Sequence, residues 1–363
     1  MQHEITASAP LLDEKGNLRE PGYAKRLLPI YRRADIKAPV ARIKEWDYYL
    51  VANDHFAVAL TIADNGYMGL DSVSFLQFDE GWQMTRSPMR AFPMGRTGLP
   101  ESSAAGNTAS SGKRHALVFR HVPGGRELTF RMEDFLNRDT IEGHLLLTQE
   151  PEESMVICTP FDKPGHFYYN QKINCMRAAG TVRIGGQTYT FDPADSFGVL
   201  DWGRGVWTYH NTWYWGSASG QVDGVPFGWN IGYGFGDTSA ASENMLFYDG
   251  KAHKLGQVTF NIPMKNKKYV TRGGCCGASG IEACTADLIE DYMSPWTFTS
   301  DDGRFEMVFV PIIDRASRTD VKLICSDQHQ VFGRYSGKAV LDDGTVIQVR
   351  DFLGFAEKVF NKW

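Results

Sequence analysis

No run in this 363-residue chain approaches the roughly 18 consecutive apolar residues that a membrane-spanning helix requires, and the opening stretch MQHEITASAPLLDEKG carries no basic-then-apolar signal pattern. No transmembrane segment is therefore expected, and the cytoplasm is the default location. There is no basic excess either: 38 Lys and Arg face 43 Asp and Glu, a net charge of −5, so nucleic acid is not an expected partner. Cysteine is sparse and irregularly spaced, at 158, 175, 275, 276, 284 and 325, which points to free thiols over a disulfide framework. The glycine-rich RGGCCGASG around Cys275 and Cys276, with Cys284 beyond it, matches no paired metal-ligand spacing. Phosphate-binding loops are also missing, since GYGFG at 232–236 and GRTGLPES at 95–102 lack the strand-to-helix context. Nor is there a G-x-S-x-G nucleophile elbow, and GSASG at 216–220 reads as no more than a turn. No motif calls for a metal or an organic cofactor.

Helical periodicity is scarce: residues 283–292 (ACTADLIEDY) are the best helical candidate and residues 21–33 a weaker one. What the chain has instead is short runs rich in Val, Ile, Phe, Tyr and Thr. They are separated by turn dipeptides at Asn65-Gly66, Gly124-Gly125, Gly185-Gly186, Asp223-Gly224, Asp249-Gly250, Asp302-Gly303 and Asp343-Gly344. These predict successive hairpins and a mainly β protein with few short helices. Many antiparallel strands must close or stack to hide their edges, and a small barrel encloses one apolar ligand in its mouth or lumen. The length suits two domains. A junction is placed in DPADSFGVLDWGRG, which divides the chain into residues 1–195 and 196–363. The Gly/Ser/Ala-rich stretch 95–113 is too polar for core and too long for an ordinary hairpin loop, so it reads as a mobile lid or a solvated excursion.

The densest feature is DWGRGVWTYHNTWYW. Five of the nine tryptophans fall between Trp202 and Trp229, with Asp201 and Arg204 at the start. If the segment is extended, Trp207, Tyr209, Asn211, Trp213 and Trp215 share one face, and Thr208, His210, Thr212 and Tyr214 the other. That is a wall of an aromatic site or of a β core. Asp201 with Arg204 is either a structural ion pair or an acid facing an aromatic pocket, its pKa raised by desolvation. Glu357, in LGFAEKVF, shares a face with Phe355 and Val359; buried there it would want a cation, for which Arg204 is one candidate. The candidate ligand contacts are Trp202, Trp207, Tyr209, Trp213, Trp215, Trp229 and Gln330, the tryptophan faces being suited to stabilising a developing cation. His210 falls on the far face, and His329 beside Gln330 is a further polar candidate.

GVLDWGRGVW, NTWYWGSASG, Gln330-Val331-Phe332-Gly333 with Tyr335-Ser336-Gly337, and a terminal strand carrying Glu357 and ending in Trp363 together resemble the bacterial family called domain of unknown function 2804, over nearly the whole chain. More distantly, the Asp–Trp–aromatic pattern and the Trp-x-Trp resemble two-domain lipocalin-like proteins that include carotenoid 1,2-hydratases, AttH-type proteins and fungal pericyclase-like proteins. The resemblance implies two lipocalin-like antiparallel β-barrels sharing an apolar cleft, with the Asp–Trp motif near it. It also implies a hydrophobic small-molecule ligand. The chain departs from the hydratases in placing Trp202-Gly203-Arg204 after the acid, where those enzymes tend to have a histidine or a second acid. The expected activity is acid-assisted hydration, isomerisation or cyclisation of an apolar unsaturated molecule, through Asp201, Arg204 and Glu357. The alternative is a non-catalytic lipid or pigment binder.

Overall fold

The computed structural model describes residues 2–266, 288–321 and 324–362. Its architecture is mainly β, as the turn spacing predicts. The hairpin dipeptides do what their chemistry requires: Val222 pairs with Val225 and Tyr248 with Lys251, closing two-residue loops. In those loops Asp223, Gly224, Asp249 and Gly250 all take positive φ, which fits the right-handed twist of the flanking strands. Among the described residues the only helices are two 3-10 turns, Arg33–Asp35 and Val40–Arg42. The helix expected at 21–33 is instead two short strands, Gly22–Ala24 and Pro29–Ile30. Backbone pairing of Gly22–Ala24 with Met155–Pro160 outweighs a weak helical pattern bounded by prolines. Of the helix expected at 283–292, residues 288–290 form a strand paired with Met264–Asn266, and 283–287 lie outside the described residues.

Two large antiparallel sheets organise the chain. The first runs from the amino-terminal strands through Phe197–Val206, and the second from His210–Val222 to Val346–Lys362. The expected division at 195/196 falls ahead of Phe197–Val206, a strand hydrogen-bonded within the first sheet between Phe167–Ile184 and Ile43–Ala52. The change of sheet therefore lies between Val206 and His210. Each sheet curls around its own apolar core, one holding Trp202, Tyr169 and Phe75, the other Trp229, Trp296 and Tyr335. Phe197–Val206 is buried along its whole length on both faces, because its outer face is covered by the second sheet. At one edge of the junction Ile5 pairs with Tyr23 of the first half while His3 N–H donates to Ala240 of the second.

Most residues of the stretch 95–113 are exposed, as expected of a surface excursion, but the stretch is pinned to the first sheet at several points. Asp64 Oδ2 accepts from the Gly95 N–H at 2.9 Å and from the Thr97 hydroxyl at 2.9 Å, Arg204 Nη2 donates to Pro100 O at 2.8 Å, and Arg126 Nη1 donates to Ser103 O at 2.9 Å. Leu99, Ser103 and Thr108 are buried. At these points its polar groups serve interior partners, while the rest of the stretch faces solvent. Arg204 is the centre of the arrangement, fully buried with Asp47 Oδ1 at 3.1 Å and Glu45 Oε1 at 3.9 Å. We expect Arg204→Ala, which leaves the buried Asp47 without its cation while Glu45 keeps Arg33, to cost about 3–5 kcal/mol in urea unfolding and to loosen the 95–113 stretch in hydrogen exchange.

Candidate functional site

The site forms where the outer faces of the two sheets meet, and strand period brings its parts together. On the first sheet Tyr48, Asp201 and Lys172 are cross-strand neighbours in one row. On the second, Arg315, Gln330, Glu357 and Trp215 form another row across four strands. The rows face each other: the Tyr48 and Trp215 rings lie 6.0 Å apart, and Lys172 Nζ sits 3.6 Å from the Trp215 ring centroid. Lys172 Nζ also pairs with Asp201 Oδ2 at 2.9 Å, and Asn170 donates to Asp201 Oδ1 at 2.6 Å. Trp215 Nε1 donates to Asn230 Oδ1 at 2.7 Å.

Glu357 lies opposite this ion pair. Its carboxyl accepts from Trp213 Nε1 and from Gln330 Nε2, each at 2.9 Å, and the residue is 4% exposed. Burial pushes its pKa from the ordinary 4.5 up to about 7, with the Asp201 charge adding to the rise; the Trp213 hydrogen bond and the nearby Arg315 and Lys172 oppose it. Burial raises Glu243, behind Asn230, in the same sense. The Tyr48 phenol, pushed by burial to about 12, remains a donor at any physiological pH. The Tyr48 phenol lies against the Gln330 side chain, and Asn170 Oδ1 is buried without a hydrogen-bond partner.

The structure redistributes the residues singled out from the sequence. Asp201, Glu357, Gln330, Trp213 and Trp215 come together, and Phe355 and Val359 share the buried face of Glu357 as alternation predicts. Asp201 and Arg204 do not pair. Three positions apart on a strand they point to opposite faces, so Arg204 enters the first core and meets neither Asp201 nor Glu357. Trp202 goes inward with it, between Tyr31 and Tyr169, and Trp229 is interior to the second sheet against Tyr335 and Phe305. Regular alternation begins only at His210. Before it the chain bends, so Trp207 still reaches Trp213, with centroids 6.1 Å apart, but Tyr209 leaves the wall and is 38% exposed. GSASG lies within the strand His210–Val222 and is no turn; its small side chains let Asn174 Nδ2 reach Ser217 Oγ at 2.8 Å. His329 faces away from Gln330 and pairs with Asp314 at 2.7 Å.

The glycines of DWGRG have a packing reason. A Cβ at Gly203 would fall 1.9 Å from the Trp46 indole, which lies across that bare stretch of strand and meets Trp207 at 5.4 Å. Sequence reasoning missed Lys172, Tyr48, Asn170 and Arg315. For two of them a signal existed: Asn170, Lys172 and Asn174 alternate within FYYNQKINCM, a run that is buried throughout.

Glu357 binds its proton more tightly when folded than when unfolded. Its stabilising contribution is therefore complete below about pH 4.5 and is lost as pH rises through about 7. Urea unfolding between pH 5 and pH 8 should show a loss on the order of 3 kcal/mol from this group. Glu357→Gln should remove that part of the slope, leaving what Glu243 and Glu45 contribute.

Between the same two faces lies a narrow cleft of about 20 Å³, lined by Leu50, Val199, Phe332 and Phe355 among others. That is room for one water molecule and much less than the open aromatic cleft expected from the sequence. Among the described residues no helix is long and apolar enough to cross a membrane. No curated protein matches the chain. Among solved structures, an AttH-type protein from Nitrosomonas europaea is similar with a TM-score of 0.52 at 13% identity, covering 96% of this chain and 98% of that one, a likeness of fold alone. Kievitone hydratase from Nectria haematococca aligns at a TM-score of 0.44 and 9% identity, covering 98% of each chain. CghA, solved with Sch210972, aligns at 0.46 and 10% identity over 97% of each chain. The family described as domain of unknown function (DUF2804) matches residues 2–363, so the chain belongs to it.

Proposed function

We propose that the protein binds an apolar unsaturated small molecule between its two sheets and protonates it there, with hydration, isomerisation or cyclisation as the outcome. The observation that carries this reading is Glu357: a carboxyl group, buried at the interface, held near pKa 7 and oriented by Trp213 and Gln330. A proton donor is most effective when its pKa lies close to the working pH, and two carboxyls with divergent surroundings divide the roles of acid and base. Here Glu357 is the acid. Asp201, held by Lys172 and Asn170, is the carboxylate.

The step balances without a cofactor. The alkene π pair takes the Glu357 proton to form a C–H bond and leaves a cation on the neighbouring carbon. Water captures that cation and its surplus proton passes to a carboxylate, giving hydration; loss of an adjacent C–H proton to Asp201 gives isomerisation; attack by a second double bond closes a ring and moves the cation to that bond's far carbon, from whose neighbour Asp201 takes a proton. Stabilisation of the cation falls to Trp213 and the carboxylates, because one face of Trp215 already carries the Lys172 ammonium.

A specific observation also favours the non-catalytic binder. Trp46, Trp207, Trp213 and Phe235 pack on one another, as core aromatics do. Native mass spectrometry of the protein from its own host, with solvent extraction, identifies what it carries. On that compound the catalytic reading expects Glu357→Gln to lose at least roughly 100-fold in turnover while keeping affinity, and Asp201→Asn to lose activity as well. Unchanged turnover in Glu357→Gln removes Glu357 from the mechanism; no turnover in the wild type leaves the binder.

A further inference from the structure

The loop that follows the short strand Met89–Ala91 presents apolar side chains to solvent on a well-tied frame. Met89 is 70% exposed and Phe92 60%, with the exposed Ala91 between them. Phe92 N–H donates to Tyr67 O at 2.8 Å, Met94 N–H to Gly66 O at 2.9 Å and Arg96 Nη2 to Phe92 O, while Pro93 is buried. Phe92 holds φ at +51°, a left-handed conformation that so bulky a residue seldom takes, and it does so ahead of a proline, which narrows its choices further. A phenyl ring is thus held out into water on a backbone that would suit glycine better, and most of its surface packs on nothing within the molecule.

The loop belongs to a wider face. Gly66, which anchors it, lies so close to Ala41 that a Cβ there would fall 2.4 Å from Ala41 O, and the neighbouring Val40 is 49% exposed. Arg42 and Tyr209 both act electrostatically on the half-buried Tyr67 phenol, which brings the crossing between the sheets to the same place. Cations are in excess here. Residues 81–100 contain no Asp or Glu and carry Arg86, Arg90 and Arg96, and residues 32–42 add Arg32, Arg33, Lys37 and Arg42 against Asp35 alone. Arg90 is taken up by Asp71 and Arg33 by Glu45, whereas among the described residues Arg32, Lys37, Arg42 and Arg96 meet no carboxylate within ion-pair distance. Separate apolar side chains set among unpaired cations suit a fluid anionic surface, which takes up each side chain where it lies, better than a shaped protein partner.

We infer that this end of the first sheet docks on an anionic lipid bilayer, with Phe92, Met89 and Val40 entering the headgroup layer and Arg32, Lys37, Arg42 and Arg96 meeting lipid phosphates. The inference is independent of Glu357 and of any chemistry between the sheets. It concerns where the protein works: apolar side chains reach the headgroup boundary, and the basic residues around them hold it to negative charge.

Co-sedimentation with sucrose-loaded vesicles tests it, using phosphatidylcholine alone and phosphatidylcholine mixed with phosphatidylglycerol. The wild type should bind the anionic vesicles at least roughly 10-fold more tightly than the neutral ones and lose that advantage as salt is raised. Lys37→Glu combined with Arg96→Glu should bring binding down to the level of the neutral vesicles. Phe92→Gly separates docking from folding. Glycine relieves the positive φ, so thermal unfolding should stay level or rise while binding to anionic vesicles falls at least roughly 10-fold. Phe92→Asn, which also tolerates this φ, takes its place should Phe92→Gly fail to fold by circular dichroism. Equal binding to both kinds of vesicle, no binding to either, or anionic binding untouched by Phe92→Gly or by the charge reversals overturns the inference. A dimer in sedimentation velocity that Phe92→Gly dissolves, in a chain that ignores vesicles, overturns it too and assigns the face to a second copy.

Discussion

One ammonium group governs the junction of the two sheets. Lys172 sits where both sheets exclude water, and its charge is tolerable there because Asp201 meets it at 2.9 Å and the Trp215 face at 3.6 Å. That commitment has a consequence for Glu357. The nearest lysine already has its carboxylate, so Glu357 receives hydrogen bonds from neutral donors and only a distant share of positive charge. A carboxyl so placed keeps its proton to near neutrality. The protonated acid is thus produced by the pairing of the other groups, and the two carboxyls differ because one lysine serves only one of them.

The same strand separates two buried charge networks. Phe197–Val206 sends Asp201 outward to Lys172 and Arg204 inward to Asp47 and Glu45. Arg204 also donates from Nη1 to the carbonyls of Trp46 and Gly203, and from Nη2 to that of Pro100. Its role is to pin the 95–113 stretch onto the first sheet, on the side of the strand away from the interface. A lid function for that stretch has no route to Glu357, since a full strand layer lies between them.

Local chemistry was legible in the sequence, and pairing between distant segments was not. Turn dipeptides announce hairpins because positive φ is a property of two residues. The face shared by Phe355, Glu357 and Val359 was readable for the same reason, as period two is local. The Asp201–Arg204 pair was misjudged because closeness in sequence was weighed above strand alternation, which opposes residues three apart. Trp202 and Trp229 could not be told from Trp213 and Trp215, since a tryptophan on a doubly buried strand has no polar side to reveal its direction. Tyr48, Lys172 and Arg315 come from three strands whose register only the assembled sheets define. The fold class was thus visible early, and half of the site was not.

The character of the acid also depends on the interface staying dry. The sheets are joined across it by contacts of moderate strength: Asn174 to Ser217, Arg315 to Ser74, and Arg334 to the Asp54 carbonyl at the rim. Parting them would admit a ligand, and it would also bring water to Glu357, removing the burial that holds its pKa near 7 and returning it toward 4.5. An open site would then hold an ionised glutamate that cannot protonate an alkene.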